Sequence, residues 1–405
     1  MRLKLHHFIL ASLGLGIVVG LCLPDVESYI GWMGRVFLLV LKMLIAPLIF
    51  TSLIVGVGNL GDVRRLGTMG GKTVAYYLIT TAGAVVIGLT LVNLIKPGIG
   101  VPKLGESVPE ILVGRPQTFG GVVNEMVTTA LQNPFAALAQ GDVLSIIFFA
   151  LIFGLALVAI GEKGKPVLVV FGGANDAMLW LVGYAMWLAP FGVFALMAGV
   201  VAKGGLQVLE SLGWYMATVL IALGMHVILV LLPLLRFVGR MGLLQFIAGV
   251  REALLIAFST SSSSATLPVT MRCTERNLKV PRRVGSFVLP LGATINMDGT
   301  ALYEAVAAMF IAQAYGVSLG IGAQVLIFLT AMGASVGAAG IPSAGLVTMA
   351  MVLHAVGLPL EGIGLILGVD RLLDMCRTTV NVAGDAVGTV VVNRFESGML
   401  DDHQS

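Results

Sequence analysis

The stretch Phe258-Ser-Thr-Ser-Ser-Ser-Ser-Ala-Thr-Leu-Pro268-Val-Thr-Met-Arg272-Cys-Thr-Glu-Arg276-Asn-Leu-Lys279-Val-Pro-Arg282-Arg283 places five basic residues directly after a polar, proline-marked interruption of an apolar run. A spanning helix needs about 20 mainly apolar residues, and clear runs of that kind lie near 8–23, 31–58, 73–96, 141–160, 178–201 and 211–235. Cytoplasmic loops collect Lys and Arg, so Arg2 and Lys4 put the N-terminus inside. Alternation then places Asp25 and Glu27 outside, and Arg64, Arg65, Lys72, Lys163, Lys165, Arg236 and Arg240 inside. If 244–271 crossed the membrane, the next basic cluster would fall on the wrong side. A re-entrant hairpin over about 244–276, entering and returning on the cytoplasmic side with the Ser run at its tip, removes the conflict. Non-helical backbone at that depth is tolerated where protein or a water-filled cavity surrounds it.

Working outward, 280–313 reads as a seventh span and 320–355 as a second hairpin, broken at Ser335-Val-Gly-Ala-Ala-Gly-Ile-Pro342. That hairpin enters from outside, because the linker Tyr315–Gly322 carries no charge. A final span over about 362–393 leaves Arg394 and the acidic tail inside. The expectation is an all-α polytopic membrane protein with eight transmembrane helices, two re-entrant hairpins and both termini cytoplasmic. The Pro- and Gly-rich region 97–140 reads as an outside loop with half-buried pieces. Thr294-Ile-Asn296-Met-Asp298-Gly299 after the first hairpin is echoed by Thr379-Val-Asn381-Val-Ala-Gly384-Asp385 after the second. Two hairpin-then-span units entering from opposite sides make an inverted repeat, whose binding sites lie near the midplane between broken helices.

Composition agrees. Of 405 residues, 58% are apolar and 11% charged, where a soluble domain has about a quarter charged; lipid must serve as solvent for much of the surface. A net charge of +3 is too small to imply a nucleic-acid partner. Cys22, Cys273 and Cys376 are isolated, which excludes a disulfide framework and gives no metal motif. The start resembles a signal peptide in its charge and apolar run, but the many later runs favour an uncleaved first span.

Asp370, Asp374, Arg377, Asn381 and Asp385 are spaced 4, 3, 4 and 4, which at about 100° per residue puts them within an arc of roughly 80°. Each charged group at mid-membrane costs about 2.5–3.5 kcal/mol, so this face needs a reason. It carries three carboxylates for one Arg, beside Asp298 in the neighbouring span, and that excess calls for bound cations. Arg377 offers a planar fork for a carboxylate, and Asp374, one turn back, can accept an ammonium. A ligand with both groups is an acidic amino acid. Its α-carboxylate fits backbone N–H groups at the hairpin tips, where half-helix N-termini point inward. Asp298, Asp385, Asn296 and Asn381 supply hard oxygen ligands for an alkali cation. Glu304, six residues past Asp298, is a proton carrier or a hydrogen-bonded structural group.

These strings resemble the dicarboxylate/amino acid:cation symporters, the glutamate transporter family, in its prokaryotic sodium-coupled form. The matching motifs are Ser261-Ser-Ser-Ser-Ala-Thr-Leu-Pro-Val-Thr270, Gly292-Ala-Thr-Ile-Asn-Met-Asp-Gly-Thr300, Ser335–Pro342 and Asp374-Met-Cys-Arg-Thr-Thr-Val-Asn-Val-Ala-Gly-Asp385, with looser likeness upstream. The resemblance implies a homotrimer in the cell's inner membrane, each protomer working separately. A scaffold (1–72 and 97–206) would hold a transport domain (73–96 and 207–398) that slides as an elevator, the second hairpin being the extracellular gate. It implies substrate binding by Asp374, Arg377, Asn381, Thr300, Ser263 and Ile341. Sodium would bind at Asp385, Asn296, Asn381 and Gly292; at Thr294, Met297, Ser335, Val336 and Ala338; and at Asp298 and Asn296 with Tyr77, Thr80 and Thr81. Glu304 stands where animal members carry their proton, and Asp385, where proton-only relatives tend to have Asn, favours sodium. Some members carry an Arg at the positions of Ser261 or Met375, and this chain has none there.

Other readings are weaker. Gly56-Val-Gly-Asn-Leu-Gly61 fits a dinucleotide fingerprint in letters but ends an apolar span instead of following a strand. The Ser run has no nearby His to activate a nucleophile, and His354 reads as a packed lone histidine, so no enzyme is implied. A channel would need a continuous polar pore, whereas here polar residues gather at one depth. Carriers of neutral amino acids or C4-dicarboxylates would not need both Asp374 and Arg377.

Overall fold

The computed structural model describes residues 5–58, 63–99, 127–128, 130–337 and 344–402, and among these there is no strand. In chain order the helices are α1 (Leu5–Cys22), α2 (Val26–Gly58), α3 (Val63–Ile95), α4 (Pro134–Gln140), α5 (Val143–Ala159), α6 (Lys165–Ala185), α7 (Ala189–His226), α8 (Leu243–Thr260), α9 (Ser263–Arg276), α10 (Arg282–Ile295), α11 (Asp298–Ala314), α12 (Ile321–Gly337), α13 (Ala344–Ala355) and α14 (Ile363–Asp402). Five helical stretches among the described residues are long and apolar enough to cross a membrane: Val26–Gly58, Met69–Ile95, Lys165–Gly205, Gln207–Val238 and Leu243–Thr260. With the apolar composition, this makes a multi-pass membrane protein.

The fifth apolar run starts earlier than the sequence pattern gives. Helix begins at Lys165, with Pro166 in its first turn, bends through a 3-10 turn at Met186–Leu188 and continues to Gly205. Gly172, Gly173, Asn175 and Asp176 dilute the hydropathy of 165–177 without breaking the helix. Gly205, at φ 59 and ψ −150, divides α7; only a residue without Cβ takes that conformation readily. Past His226 the helix continues in wide π turns around Pro233, which lacks an N–H to donate.

Within the seventh run the helix is broken, as the polar, helix-breaking stretch Asn296–Thr300 leads one to expect: two half-helices, α10 and α11, are parted at Asn296 (φ −96, ψ 87) and Met297 (φ −119, ψ 56). The last helix extends beyond 393 to Asp402, and Glu396 near its end is held by Lys72 of α3 at 3.1 Å.

The first hairpin forms where the Ser run predicts a tip. α8 ends at Ser261, which takes the left-handed conformation (φ 52, ψ 39), and Ser262 caps α9 by accepting from the Ala265 N–H at 3.1 Å. Its open end is closed by the Asn277 side-chain amide, donating to the Gly249 carbonyl at 2.7 Å, and by the Arg272–Glu252 ion pair. Removing an N-cap side chain costs about 1 kcal/mol. Ser262→Ala is therefore expected to lower the thermal midpoint of the detergent-solubilised protein by a few degrees, read by intrinsic fluorescence. An unchanged midpoint would remove the cap from the account of the tip. α12 and α13 pack against each other as the second hairpin, whose connection lies outside the described residues.

Apolar side chains are divided between core and periphery. On α2, Tyr29, Trp32, Val36, Leu39 and Met43 are exposed at helical spacing, a face for lipid or for a partner. α1 lies so close to α7 that a Cβ at Gly20 would come 2.5 Å from the Ala198 carbonyl and one at Gly16 2.8 Å from that of Phe194. Close helix approach through small residues is how membrane helices gain packing without a hydrophobic drive.

Candidate substrate and cation site

The five polar residues of the α14 face are all buried. Packing α14 against the break between α10 and α11 gives them partners. The closeness comes from Gly299, where a Cβ would sit 2.6 Å from the Arg377 carbonyl. The Gly299 N–H donates to Asn381 Oδ1 at 2.7 Å, and Asn381 Nδ2 donates to Thr300 Oγ1 at 3.2 Å. These two bonds tie the N-terminus of α11 to the middle of α14.

Arg377 is buried to 1% exposure. Its Nε donates to Asp374 Oδ1 at 3.0 Å and its Nη1 to Asp370 Oδ1 at 2.9 Å. The guanidinium lies 4.1 Å from the centre of the Tyr303 ring, a cation–π distance. Nη2 sits 3.0 Å from Asp374 Oδ1 but makes no aligned hydrogen bond. It faces Gly345 of α13, where a Cβ would come within 2.7 Å. The absent side chain lets α13 pack closely on the buried guanidinium, and a buried donor without an acceptor is costly.

A second polar cluster lies deeper along α14. Asn296 Nδ2 donates to Asp385 Oδ1 at 2.9 Å. Gly292 abuts the same carboxylate, since a Cβ there would come 2.4 Å from Asp385 Oδ1 and 2.6 Å from the Tyr77 hydroxyl. Asp298 opens α11, so its charge sits at a helix N-terminus, where it is favoured. Its Oδ1 accepts from Thr81 at 2.7 Å and Thr80 at 3.2 Å, and its Oδ2 lies 3.1 Å from His226 Nε2. Tyr77 donates its hydroxyl to the Val288 carbonyl at 2.8 Å, beside this cluster.

The structure therefore brings Asp374, Arg377, Asn381 and Thr300 together, and likewise Asp385, Asn296 and Gly292, and Asp298 with Thr80 and Thr81. Ser263 is buried in the first turn of α9, and Met297 is buried in the break. Thr294 and Ser335 turn their hydroxyls onto carbonyls of their own helices, Leu291 at 3.0 Å and Met332 at 2.8 Å. α12, which carries Ser335 and Val336, packs on α10. Ala338 and Ile341 lie outside the described residues. Glu304 is fully buried in α11, with neither oxygen in an aligned hydrogen bond; Thr348 and Arg377 are the polar groups that act on it. Among the described residues no group of three or more His, Cys, Asp and Glu could hold a metal.

Two groups were missed. His226 sits at 0% exposure on Asp298; an ionisable residue inside the apolar run 211–235 was a signal by itself. Arg371 reaches Asp374, with Nη1 3.7 Å from Oδ2, so the face does not stand as three carboxylates against one Arg. His354, read as packed, is exposed near the end of α13.

Comparison with known proteins gives one answer. The pattern of the family described as Sodium:dicarboxylate symporter family matches residues 5–395. A proton/sodium-glutamate symport protein of Geobacillus stearothermophilus is 39% identical over 98% of this chain and 95% of its own. Excitatory amino acid transporter 3 of Mus musculus is 40% identical over 99% of this chain and 88% of its own. Excitatory amino acid transporter 2 of Homo sapiens is 41% identical over 93% of this chain and 75% of its own. The chain belongs to the sodium:dicarboxylate symporter family, and is a transporter and not an enzyme.

Proposed function

We propose that the protein is a secondary active symporter that takes up L-aspartate or L-glutamate together with sodium ions. The observation that carries this is the pairing of Arg377 with Asp374, with Nη2 of the buried guanidinium left without an aligned acceptor. Arg377 receives the side-chain carboxylate, Asp374 the ammonium, and Asn381 and Thr300 complete the wall. The α-carboxylate goes to the backbone at the hairpin tips, by Ser263 and Ile341. Relatives named for glutamate and for excitatory amino acids agree with that substrate.

Sodium is held by oxygens alone: Asp385, Asn296, Asn381 and the Gly292 carbonyl in one site; Asp298, Asn296, Tyr77, Thr80 and Thr81 in another. A further site uses Thr294, Met297 and carbonyls of the second hairpin at Ser335, Val336 and Ala338. The first and second hairpins are re-entrant, giving eight spans with both termini cytoplasmic in the cell's inner membrane. Residues 1–72 and 97–206 form the scaffold of a homotrimer, and 73–96 with 207–398 form the domain that moves as an elevator behind the gate of the second hairpin. The exposed apolar face of α2 supports burial against lipid or another copy.

The test is uptake of radiolabelled L-aspartate and L-glutamate into proteoliposomes under an inward sodium or an inward proton gradient. Accumulation under sodium is the expected result. One observation favours a second reading: Glu304, buried without an aligned partner, is a ready proton site. Accumulation under a proton gradient alone would move the coupling to it. No accumulation under either gradient would reject the substrate.

A further inference from the structure

We infer that Arg371 is a second positive charge of the substrate site, a positioning residue that acts through Asp374 and sets how well the site accepts an anionic amino acid. The inference rests on the acidic substrate proposed above. Asp374 is approached from two sides. Its Oδ1 accepts from Arg377 Nε at 3.0 Å, and its Oδ2 faces Arg371 Nη1 at 3.7 Å. Each oxygen of the carboxylate that meets the ammonium is thus oriented by a different guanidinium.

Burial separates this contact from an ordinary surface pair. The side chains of Arg371 and Asp374 are 16% and 5% exposed, against 65% and 84% for the similarly spaced pair Lys165–Glu162. Pairs of the second kind contribute almost nothing measurable; a pair largely withdrawn from water is screened far less. The 3.7 Å separation is also longer than the Arg377 contacts. Arg371 therefore orients Asp374 more loosely than Arg377 does.

The charge balance gives the contact its consequence. Asp370 and Asp374 face Arg377 and Arg371, two negative charges against two positive. An acidic amino acid brings one net negative charge into this neutral group. Without Arg371 the group is already negative, and the substrate enters against repulsion. At an intermediate dielectric and a separation of several ångströms that repulsion is worth roughly a tenfold change in affinity.

The experiment is calorimetric titration of L-aspartate and L-glutamate into the full-length protein in sodium chloride, with wild type, Arg371→Gln and Arg371→Lys. Expected are roughly tenfold weaker binding for the Gln variant and binding within about threefold of wild type for the Lys variant, which keeps the charge. Arg371→Gln that binds as tightly as wild type overturns the inference. So does Arg371→Lys that loses as much as Gln, which is the outcome of a purely packing role. Should Arg371→Gln fail to assemble, Arg371→Met replaces it with the same expectation and the same overturning result. Wild type that binds neither amino acid rejects the substrate assignment and the inference with it, and so separates the two failures.

Discussion

Replacing Arg377 by alanine is expected to abolish uptake of L-aspartate and L-glutamate, with a loss of at least about a hundredfold. The variant removes the donor proposed for the substrate's side-chain carboxylate. It also strips Asp374 and Asp370 of the hydrogen bonds they receive at 3.0 and 2.9 Å. Breaking a buried ion pair from one side costs about 3–5 kcal/mol, and each 1.4 kcal/mol is about tenfold. Two carboxylates left in one site favour an ammonium-bearing ligand without a second acid group. Serine or alanine is then expected to be transported where aspartate no longer is, and competition assays in proteoliposomes would read both. Uptake of acidic substrates at the wild-type rate would sink the assigned role.

For Asp298→Asn, the sodium concentration that half-saturates substrate binding is expected to rise about thirtyfold. Thr80 and Thr81 donate to this carboxylate, and His226 Nε2 lies 3.1 Å from it. Asparagine can still accept from some of them, so the packing of α3, α7 and α11 is largely kept while the formal charge is lost. A cation about 4 Å from a carboxylate gains about 4 kcal/mol at an effective dielectric of 20. Desolvation of the ion offsets part of that, leaving about 2 kcal/mol. Sodium titration of L-aspartate binding, with melting temperature followed in parallel, separates lost ion affinity from lost stability. An unchanged sodium dependence would take Asp298 out of the cation site.

Where the sequence could be read, it was read through charge and periodicity. The polar interruption at the Ser run is legible in the sequence as a helix–turn–helix, and α8, Ser261–Ser262 and α9 form one there. The α14 face followed from helical spacing, and all five of its residues are buried. Hydropathy failed where helices are continuous but locally polar, as at Gly172–Asp176, whereas the break at Asn296–Met297 falls inside the helix-breaking run Asn296–Thr300 that interrupts the apolar stretch. Arg371 escaped for a related reason. One position from Asp370 places it about 100° off the polar arc, and only the length of its side chain lets it reach back to Asp374. His226 meets Asp298 across a tertiary contact that no spacing along the chain encodes.

Sixteen of the seventeen residues of α11 are buried. A helix enclosed around its whole circumference meets protein where others meet lipid, so its apolar character measures the fit to its neighbours and not the thickness of the bilayer. Adaptation to membranes of different thickness, which costs only fractions of a kcal/mol per ångström, must then be carried by peripheral helices such as α2, α6 and α8, which expose apolar side chains. Substitutions in α11 remain tied to those of α14 and α3, whatever the host membrane. The two parts of the sequence can drift on separate clocks, one kept by the lipid and the other by the site.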